Sequence, residues 1–379
     1  PNGAHRRRAP SRTAASASPW SEVPLPHHVE YLKLPLLLRD ADRLRASFVM
    51  AWLALRGSGR MVVVLAAAVS LLVLLYVARI RTSRPALVSL RRLLDAGVAA
   101  AEAGGDEVRR VRLSNRLAQQ SKGKTREGAD DPLTAGDLSS HRVMYGGLSA
   151  TFPGLSIISE EHAEGDRDAA ANLLSRVRTL GGLIGDDVLV PAEAVTIWID
   201  PLDATQEYTE NLLDYVTTMV CVAVHGSPVI GIIHQPFLNK TTWGWVGHGS
   251  NVNSPTQRDA SEARTVVVSR SHPGEVQALA KKAFGSEVKV VPAGGAGYKV
   301  LQLVEGHADT YLHSSAIKKW DVCAGNALLA SLGGHMTSLD GTPLSYSLES
   351  TPVHLGGLLA ALGNHAQMLD AVRKARAKA

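Results

Sequence analysis

The stretch IWIDPLDATQEYTE, residues 197–210, sets two aspartates around a proline and a leucine at the end of a strand-like run. The residues leading into it, AVTIWI (194–199), alternate and are rich in β-branched and aromatic side chains, the pattern of a strand. Pro201 has no N–H to give to a ladder, so the strand is expected to stop at Asp200. Asp203, Ala204 and Thr205 then read as the opening of a helix, with acidic and hydroxyl groups suited to a first turn. Taken alone, the segment reads equally well as an ordinary strand-to-helix turn with capping carboxylates. The rest of the chain decides between the two.

The chain has 379 residues, 45% of them hydrophobic, enough for a large core in one or two domains. Its formal net charge of +5 is unevenly spread. Up to Arg84 there are 13 Lys/Arg against 4 Asp/Glu, and beyond it 27 against 31. The body is therefore mildly acidic, which argues against a nucleic-acid-binding domain, since no basic face remains to neutralise a phosphate backbone. The two cysteines, Cys221 and Cys323, lie in apolar stretches and make neither a disulfide framework nor a zinc site, so both are expected to pack in the core.

Residues 1–60, rich in Arg, Ala, Ser and Pro, read as a disordered tail. Residues 61–78 (MVVVLAAAVSLLVLLYVA) form an uncharged apolar run at the lower edge of bilayer-spanning length, bordered by arginines, and read as a membrane anchor. From Pro85 the pattern is globular. Residues 86–111 have helical spacing, broken at Gly104–Gly105. LSIISEEH (155–162) is a short strand ending in acids. TTMVCVAVHGSPVIGIIHQP (217–236) is a hairpin turning at His225–Pro228. TVVVSRSH and VKVVPAGGAGYK are strand–loop units, and WDVCAGNALLASLGGHMT is a helix ended by Gly333–Gly334. The segments group into a half over 85–225 and a half over 226–379. Alternating strands and helices in two halves predict a layered α/β (α+β) fold.

Acids recur at strand ends: Glu160 and Glu161, Asp200 and Asp203, and Asp321 at the start of a late helix. Oxygen donors without neighbouring cysteine or histidine clusters suit a hard cation, above all Mg²⁺. Two such ions could hold the attacking water and the leaving oxygen of a phosphoryl transfer, and the helix start at Ala204–Thr205 could offer N–H groups to a phosphate. A Walker-type glycine–lysine pattern is lacking, so kinase and ATPase readings have no support.

SEEH (159–162), WIDPLDAT (198–205) and WDVCAGNALLASLGG (320–334) resemble the signatures of the lithium-sensitive, Mg²⁺-dependent inositol monophosphatase superfamily. Together with SKGKTREGADDPLT, SRSH, GGAGYK and IKKWD, they are most similar to its membrane-anchored nucleotide-phosphatase branch. The resemblance runs from about Leu87 to the C-terminal region. It implies an α/β/α/β/α sandwich, with two or more Mg²⁺ ions held by Glu160, Asp200, Asp203, Asp321 and the Leu202 carbonyl. Asp131 and Thr205 would activate the attacking water. Ala204, Thr205, Ser269, His272, Gly295 and Lys299 would hold the substrate. The implied reaction is hydrolysis of the 3′-phosphate of adenosine 3′,5′-bisphosphate, a small-molecule nucleotide, by a single-pass Golgi membrane protein with a luminal catalytic domain. Asn239 in LNKTT would then be a glycosylation acceptor. Ala204 departs from the glycine common in the wider family. An inositol-phosphate phosphatase and a catalytically inactive anchored binding protein are the competing readings.

Overall fold

The computed structural model describes residues 59–82, 86–124, 130–162, 169–181, 185–252, 264–270 and 274–377. The chain separates into two units, Pro1–Arg84 and Pro85–Ala379. In the first, α1 (Gly59–Thr82) is a continuous helix that contains the expected anchor. Its described valine and leucine side chains are exposed, Val64 and Leu65 at 67% each. Among the described residues, no helix is long and apolar enough to cross a membrane. Positions 1–58 of the expected disordered tail lie outside the described residues.

The second unit opens with β1 (Leu87–Ser89), α2 (Leu90–Leu113), the hairpin β2 (Gln120–Lys124) and β3 (Asp130–Leu133), and α3 (Ala135–Thr151). Then come β4 (Ser156–Ser159), α4 (Ala169–Arg176), β5 (Leu189–Pro191), β6 (Val195–Asp203), α5 (Thr205–Thr209), β7 (Thr217–Val224), β8 (Ser227–Gln235), β9 (Lys240–Trp245) and β10 (Gly249–Ser250). The remainder is β11 (Thr265–Ser269), α6 (Gly274–Phe284), β12 (Lys289–Ala293), α7 (Ala296–Val304), β13 (Thr310–His313), β14 (Ile317–Lys318), α8 (Lys319–Ser331), β15 (His335–Thr337), β16 (Val353–His354), β17 (Leu358–Ala361) and α9 (His365–Ala377).

Two sheets organise these elements. The first has six strands, β10-β9-β8-β7-β6-β4, and the second has five, β12-β11-β13-β17-β15. The period-2 rule of strands explains the layering. Ile197 and Ile199 face one core with Leu93, Leu94 and Ala100 of α2 and Met144 and Leu148 of α3. Trp198 faces the opposite core, with Val300 of α7, Ala324 and Leu328 of α8, and Tyr311 and Leu358 of the second sheet. The far side of that sheet packs Val266, Val268 and Leu312 on Val276 of α6 and Met368 and Val372 of α9. The order is thus α2–α3, sheet, α7–α8, sheet, α6–α9, the α/β/α/β/α sandwich expected.

Several local expectations are corrected. α2 continues through Gly104 and Gly105. A Cβ at Gly104 would run into Met144 and Ser140 of α3, and one at Gly105 into the His234 ring, so close packing outweighs the helix-propensity cost of about 1 kcal/mol each. β6 does not stop at Asp200. Pairing resumes at Asp203↔Thr217 after a bulge that absorbs Pro201. The hairpin turns at His225–Gly226, with φ of 50° and 76°, but both of its strands belong to the first sheet. The change of sheet therefore falls between Ser250 and Thr265 rather than at 225/226. The cysteines are joined as a Cys221–Cys323 disulfide between β7 and α8, across a sequence separation of 102. Each sits in a different element of one core, and no sequence pattern announces that two apolar stretches face each other.

Candidate active site

The bulge at the end of β6 turns Asp200 toward the C-terminal end of β4, where Glu160 follows Ser159, and toward the first turn of α8, which carries Asp321. Carboxylate oxygens of Glu160, Asp200 and Asp321 all lie within 4.8 Å of one another. Asp200 is buried, Glu160 and Asp321 are half-buried, and the three acids repel. Burial, reinforced by Glu160 and neighbouring aspartates, pushes the Asp200 and Asp321 carboxyls well above the usual range. For Glu160, burial acts in the same direction but is outweighed by the ammonium groups of Lys318 and Lys122, which hold it below its ordinary value. Lys318 lies 2.9 Å and Lys122 3.0 Å from Glu160 Oε1, and Lys122 also pairs with Glu161. An all-oxygen donor set with crowded negative charge fits a hard divalent cation.

Asp203 borders this cluster without joining it. Its oxygens accept from Ala296 N at 3.1 Å, Gly297 N at 2.8 Å and Thr217 Oγ1 at 3.2 Å, so it ties the bulge to the start of α7. Gly295, at φ +60°, makes that approach possible: a Cβ there would lie 2.8 Å from the Tyr215 carbonyl and 2.9 Å from Asp203 Oδ2. Leu202 is buried, and its carbonyl accepts from Thr205 Oγ1 at 3.1 Å. Ala204 adopts the left-handed conformation at φ +69°, which glycine reaches more easily.

The partner of Thr205 differs from the sequence expectation. Thr205 Oγ1 lies 3.0 Å from Asp137 Oδ1, while Asp131 faces Lys318 at 3.4 Å. Asp137 belongs to a capping box at the start of α3, where its Oδ2 accepts from Thr134 N at 2.8 Å and Thr134 Oγ1 at 2.6 Å. Burial pushes its carboxyl up to about 7, against the pull of those hydrogen bonds. The spacing Thr134-x-x-Asp137 was readable as a cap, but a cap signal says nothing of the opposite carboxylate oxygen, which only the fold aims at Thr205.

A cavity of about 790 Å³ opens over these groups. It is lined by Asp131, Glu160, Asp200, Asp203, Asp321, Leu202, Ala204 and Thr205, and by Ser269, Gly295 and Lys299. Lys299 itself is 4% exposed. Its ammonium donates to the carbonyls of Ala293 and Gly295 and lies 5.3 Å from the centre of the Tyr311 ring. Burial pulls its pKa down, opposed by Asp203. His272 lies outside the described residues. Sequence reasoning missed Asp137, Lys122 and Lys318, all of which stand inside quoted motifs or next to them.

A family model described as the inositol monophosphatase family matches residues 89–377. Inositol monophosphatase 3 of Danio rerio is 50% identical over 282 residues, 73% of this chain and 82% of that protein. The Golgi-resident adenosine 3′,5′-bisphosphate 3′-phosphatase of Homo sapiens is 50% identical over 301 residues, 76% of this chain and 80% of that protein. Among solved structures, an inositol monophosphatase from Anabaena superposes with a TM-score of 0.53 at 24% identity, covering 75% of this chain and 96% of that one. One from Thermotoga maritima gives 0.56 at 16% identity, covering 75% and 98%. These structures speak to the fold, and the sequence matches to descent. The chain belongs to the inositol monophosphatase family.

Proposed function

We propose that this chain is a Mg²⁺-dependent phosphoric monoester hydrolase that cleaves the 3′-phosphate of adenosine 3′,5′-bisphosphate, giving AMP and phosphate. The observation that carries the reading is the Glu160–Asp200–Asp321 cluster, which together with Thr205 of the Thr205–Asp137 pair lines a cavity large enough for a nucleotide. The relatives named as Golgi-resident adenosine 3′,5′-bisphosphate 3′-phosphatases supply the substrate.

Glu160, Asp200 and Asp321 would hold the cation, and Asp203 and the Leu202 carbonyl are the further oxygens that a second ion would draw on. Bound Mg²⁺ supplies Lewis-acid activation of a water and neutralises charge at the leaving oxygen. Ionised Asp137 would accept the hydrogen bond of the Thr205 hydroxyl, which leaves a lone pair of that oxygen to accept from the attacking water. A carboxyl poised near neutrality suits a general base. The water oxygen bonds to phosphorus as the bond to O3′ breaks. One proton of that water would pass through Thr205 to Asp137, and the leaving O3′ would take its proton from solvent water, to which Asp137 later returns the one it gained. Ser269, Gly295 and His272 would line the nucleoside end, and Lys299 would fix the Gly295 loop from behind.

The finer location belongs to the same proposal: a single-pass Golgi membrane protein with α1 as its anchor and a luminal body. Exposed apolar side chains along α1, the Cys221–Cys323 disulfide and the exposed sequon at Asn239 support it, since disulfides persist in oxidising compartments. The test is phosphate release from a panel of nucleotide and inositol phosphates, with Mg²⁺ and with chelator. Preference for adenosine 3′,5′-bisphosphate is expected. Faster turnover of inositol phosphates would install the reading favoured by the zebrafish relative's name.

A further inference from the structure

A second cavity, of about 480 Å³, opens where β15, the end of β17 and the start of α9 meet, and it shares no lining residue with the cavity of the acidic cluster. Its wall includes Gly333, His335, Asn364, His365 and Gln367, with no carboxylate among the described residues. Two imidazoles therefore supply its chemistry. β15 is the edge strand of the second sheet and pairs antiparallel with β17, setting His335 opposite Ala361. Met336 points into the core shared with α8, so strand alternation turns His335 and Thr337 to the face that α9 covers. The chain leaves β17 through Leu362 and Gly363, and Asn364, at φ +56°, turns it into α9. That turn returns His365 to the same face, with the two rings 5.7 Å apart between centres and tilted by 56°.

The state of His365 follows from its partners. Its Nε2 lies 3.2 Å from the Leu359 carbonyl and 3.2 Å from Thr337 Oγ1. A carbonyl oxygen only accepts, so Nε2 carries a proton. The Thr337 hydroxyl gives its own hydrogen to the Ser338 carbonyl at 3.0 Å, so it too accepts at Nε2. Burial holds the ring below its ordinary pKa, against the Leu359 hydrogen bond, and the neutral imidazole keeps a lone pair on Nδ1. Among the described residues Nδ1 has no hydrogen-bond partner, and it is not sealed from solvent, so it opens on the cavity that the ring lines. One ring nitrogen fixed by a backbone carbonyl and the other presented is the arrangement of a metal-ligating histidine. His335 is half-buried at the sheet edge, where its ring has room to turn toward that nitrogen. Two imidazoles held by one zinc ion, at about 2.0–2.1 Å each, stand about 5 Å apart between centres. The observed separation is within a small ring rotation of that value.

We propose that His335 and His365 form a binding site for a borderline divalent cation, Zn²⁺ above all, with water completing its coordination. Imidazole donors select such ions over Mg²⁺, which takes oxygen. The site is thus chemically separate from the acidic cluster and independent of the substrate reading. The ion joins edge strand β15 to the start of α9, and binding to the folded chain stabilises it.

The experiment titrates Zn²⁺ into the full chain with Mg²⁺ in excess, by calorimetry and thermal melts, in an Asp200→Asn background that weakens Zn²⁺ capture by the acidic cluster. One Zn²⁺ per chain at this site and an upward shift in Tm are expected. His335→Ala should weaken that binding by at least about tenfold and remove the Tm shift. His335→Phe, which keeps a ring beside His365 and removes both nitrogens, should do the same, and it serves as the readout if the alanine variant does not fold. Cu²⁺ in the same background should show two nitrogen ligands by electron paramagnetic resonance, and fewer in either His335 variant. A Zn²⁺ affinity and Tm shift unchanged by both His335 substitutions, or no Zn²⁺ uptake in the Asp200→Asn protein, would overturn the proposal.

Discussion

Asp137 and Asp131 compete for one role, and substituting each by asparagine separates them. In Asp137→Asn the side chain keeps its shape, but one carboxylate oxygen becomes an amide. That oxygen served either the Thr134 cap, at 2.8 and 2.6 Å, or Thr205, at 3.0 Å. An amide oxygen can satisfy one side, so stability should fall by about 1–3 kcal/mol, the cost of unmade hydrogen bonds to a buried charged group. That is a few degrees of Tm for a domain of this size. Turnover should fall by much more, about 10²–10⁴-fold, because the proton acceptor for Thr205 and the water is gone. Asp131→Asn disturbs a 3.4 Å contact to Lys318 with both groups about one-third exposed, an interaction worth under about 1 kcal/mol. It should cost less than about tenfold. The pH profile adds an independent sign. The base acts without its proton, so kcat/KM should rise with pH through the region of Asp137's raised value, about 7, and that limb should vanish in Asp137→Asn. The assay is phosphate release with Mg²⁺ across pH, alongside thermal melts followed by circular dichroism. A folded Asp137→Asn protein within tenfold of normal, or a larger loss in Asp131→Asn, would refute this reasoning.

Two further outcomes follow from the same geometry. Burial and three acidic neighbours hold the Asp200 carboxyl far above its usual value, so Asp200→Asn should leave metal-free stability unchanged or raised. It should abolish the upward shift in Tm on adding Mg²⁺ and cut turnover by about 10²-fold or more; a preserved Mg²⁺ shift would exclude Asp200 from the cation site. Removing the Cys221–Cys323 bond by the double serine substitution opens a closure spanning 102 residues, for which chain entropy gives about 4–5 kcal/mol. Melts in oxidising buffer should show the loss, and a weaker Mg²⁺ response should accompany it, because Asp321 precedes Cys323 on the same helix; an unchanged Tm would show that the cross-link does not contribute to stability.

The strands, the hairpin turn and the acids at the strand ends were legible because each is a local pattern. Alternation along β6 separates Trp198 from Ile197 and Ile199, and paired positive φ at His225–Gly226 needs a glycine. Acids at successive strand ends point to the cluster of Glu160, Asp200 and Asp321 before any fold is known. Sequence spacing says which residue types stand at an element's end, whereas pairing across elements is set by how the layers pack. Asp137 lies six positions beyond Asp131, in the first turn of α3 rather than on β3, and only the placement of α3 against the β6 bulge gives Thr205 to it. Gly104 and Gly105 look like helix breakers until α3 and His234 are laid against them. Cys221 and Cys323 look like packing until β7 meets α8. Lys299 reads as an open cation in the sequence, and only the fold sets its ammonium on the Ala293 and Gly295 carbonyls at the cavity wall. In each case the tertiary contact, made between segments far apart in the chain, decided among alternatives that local chemistry left equal.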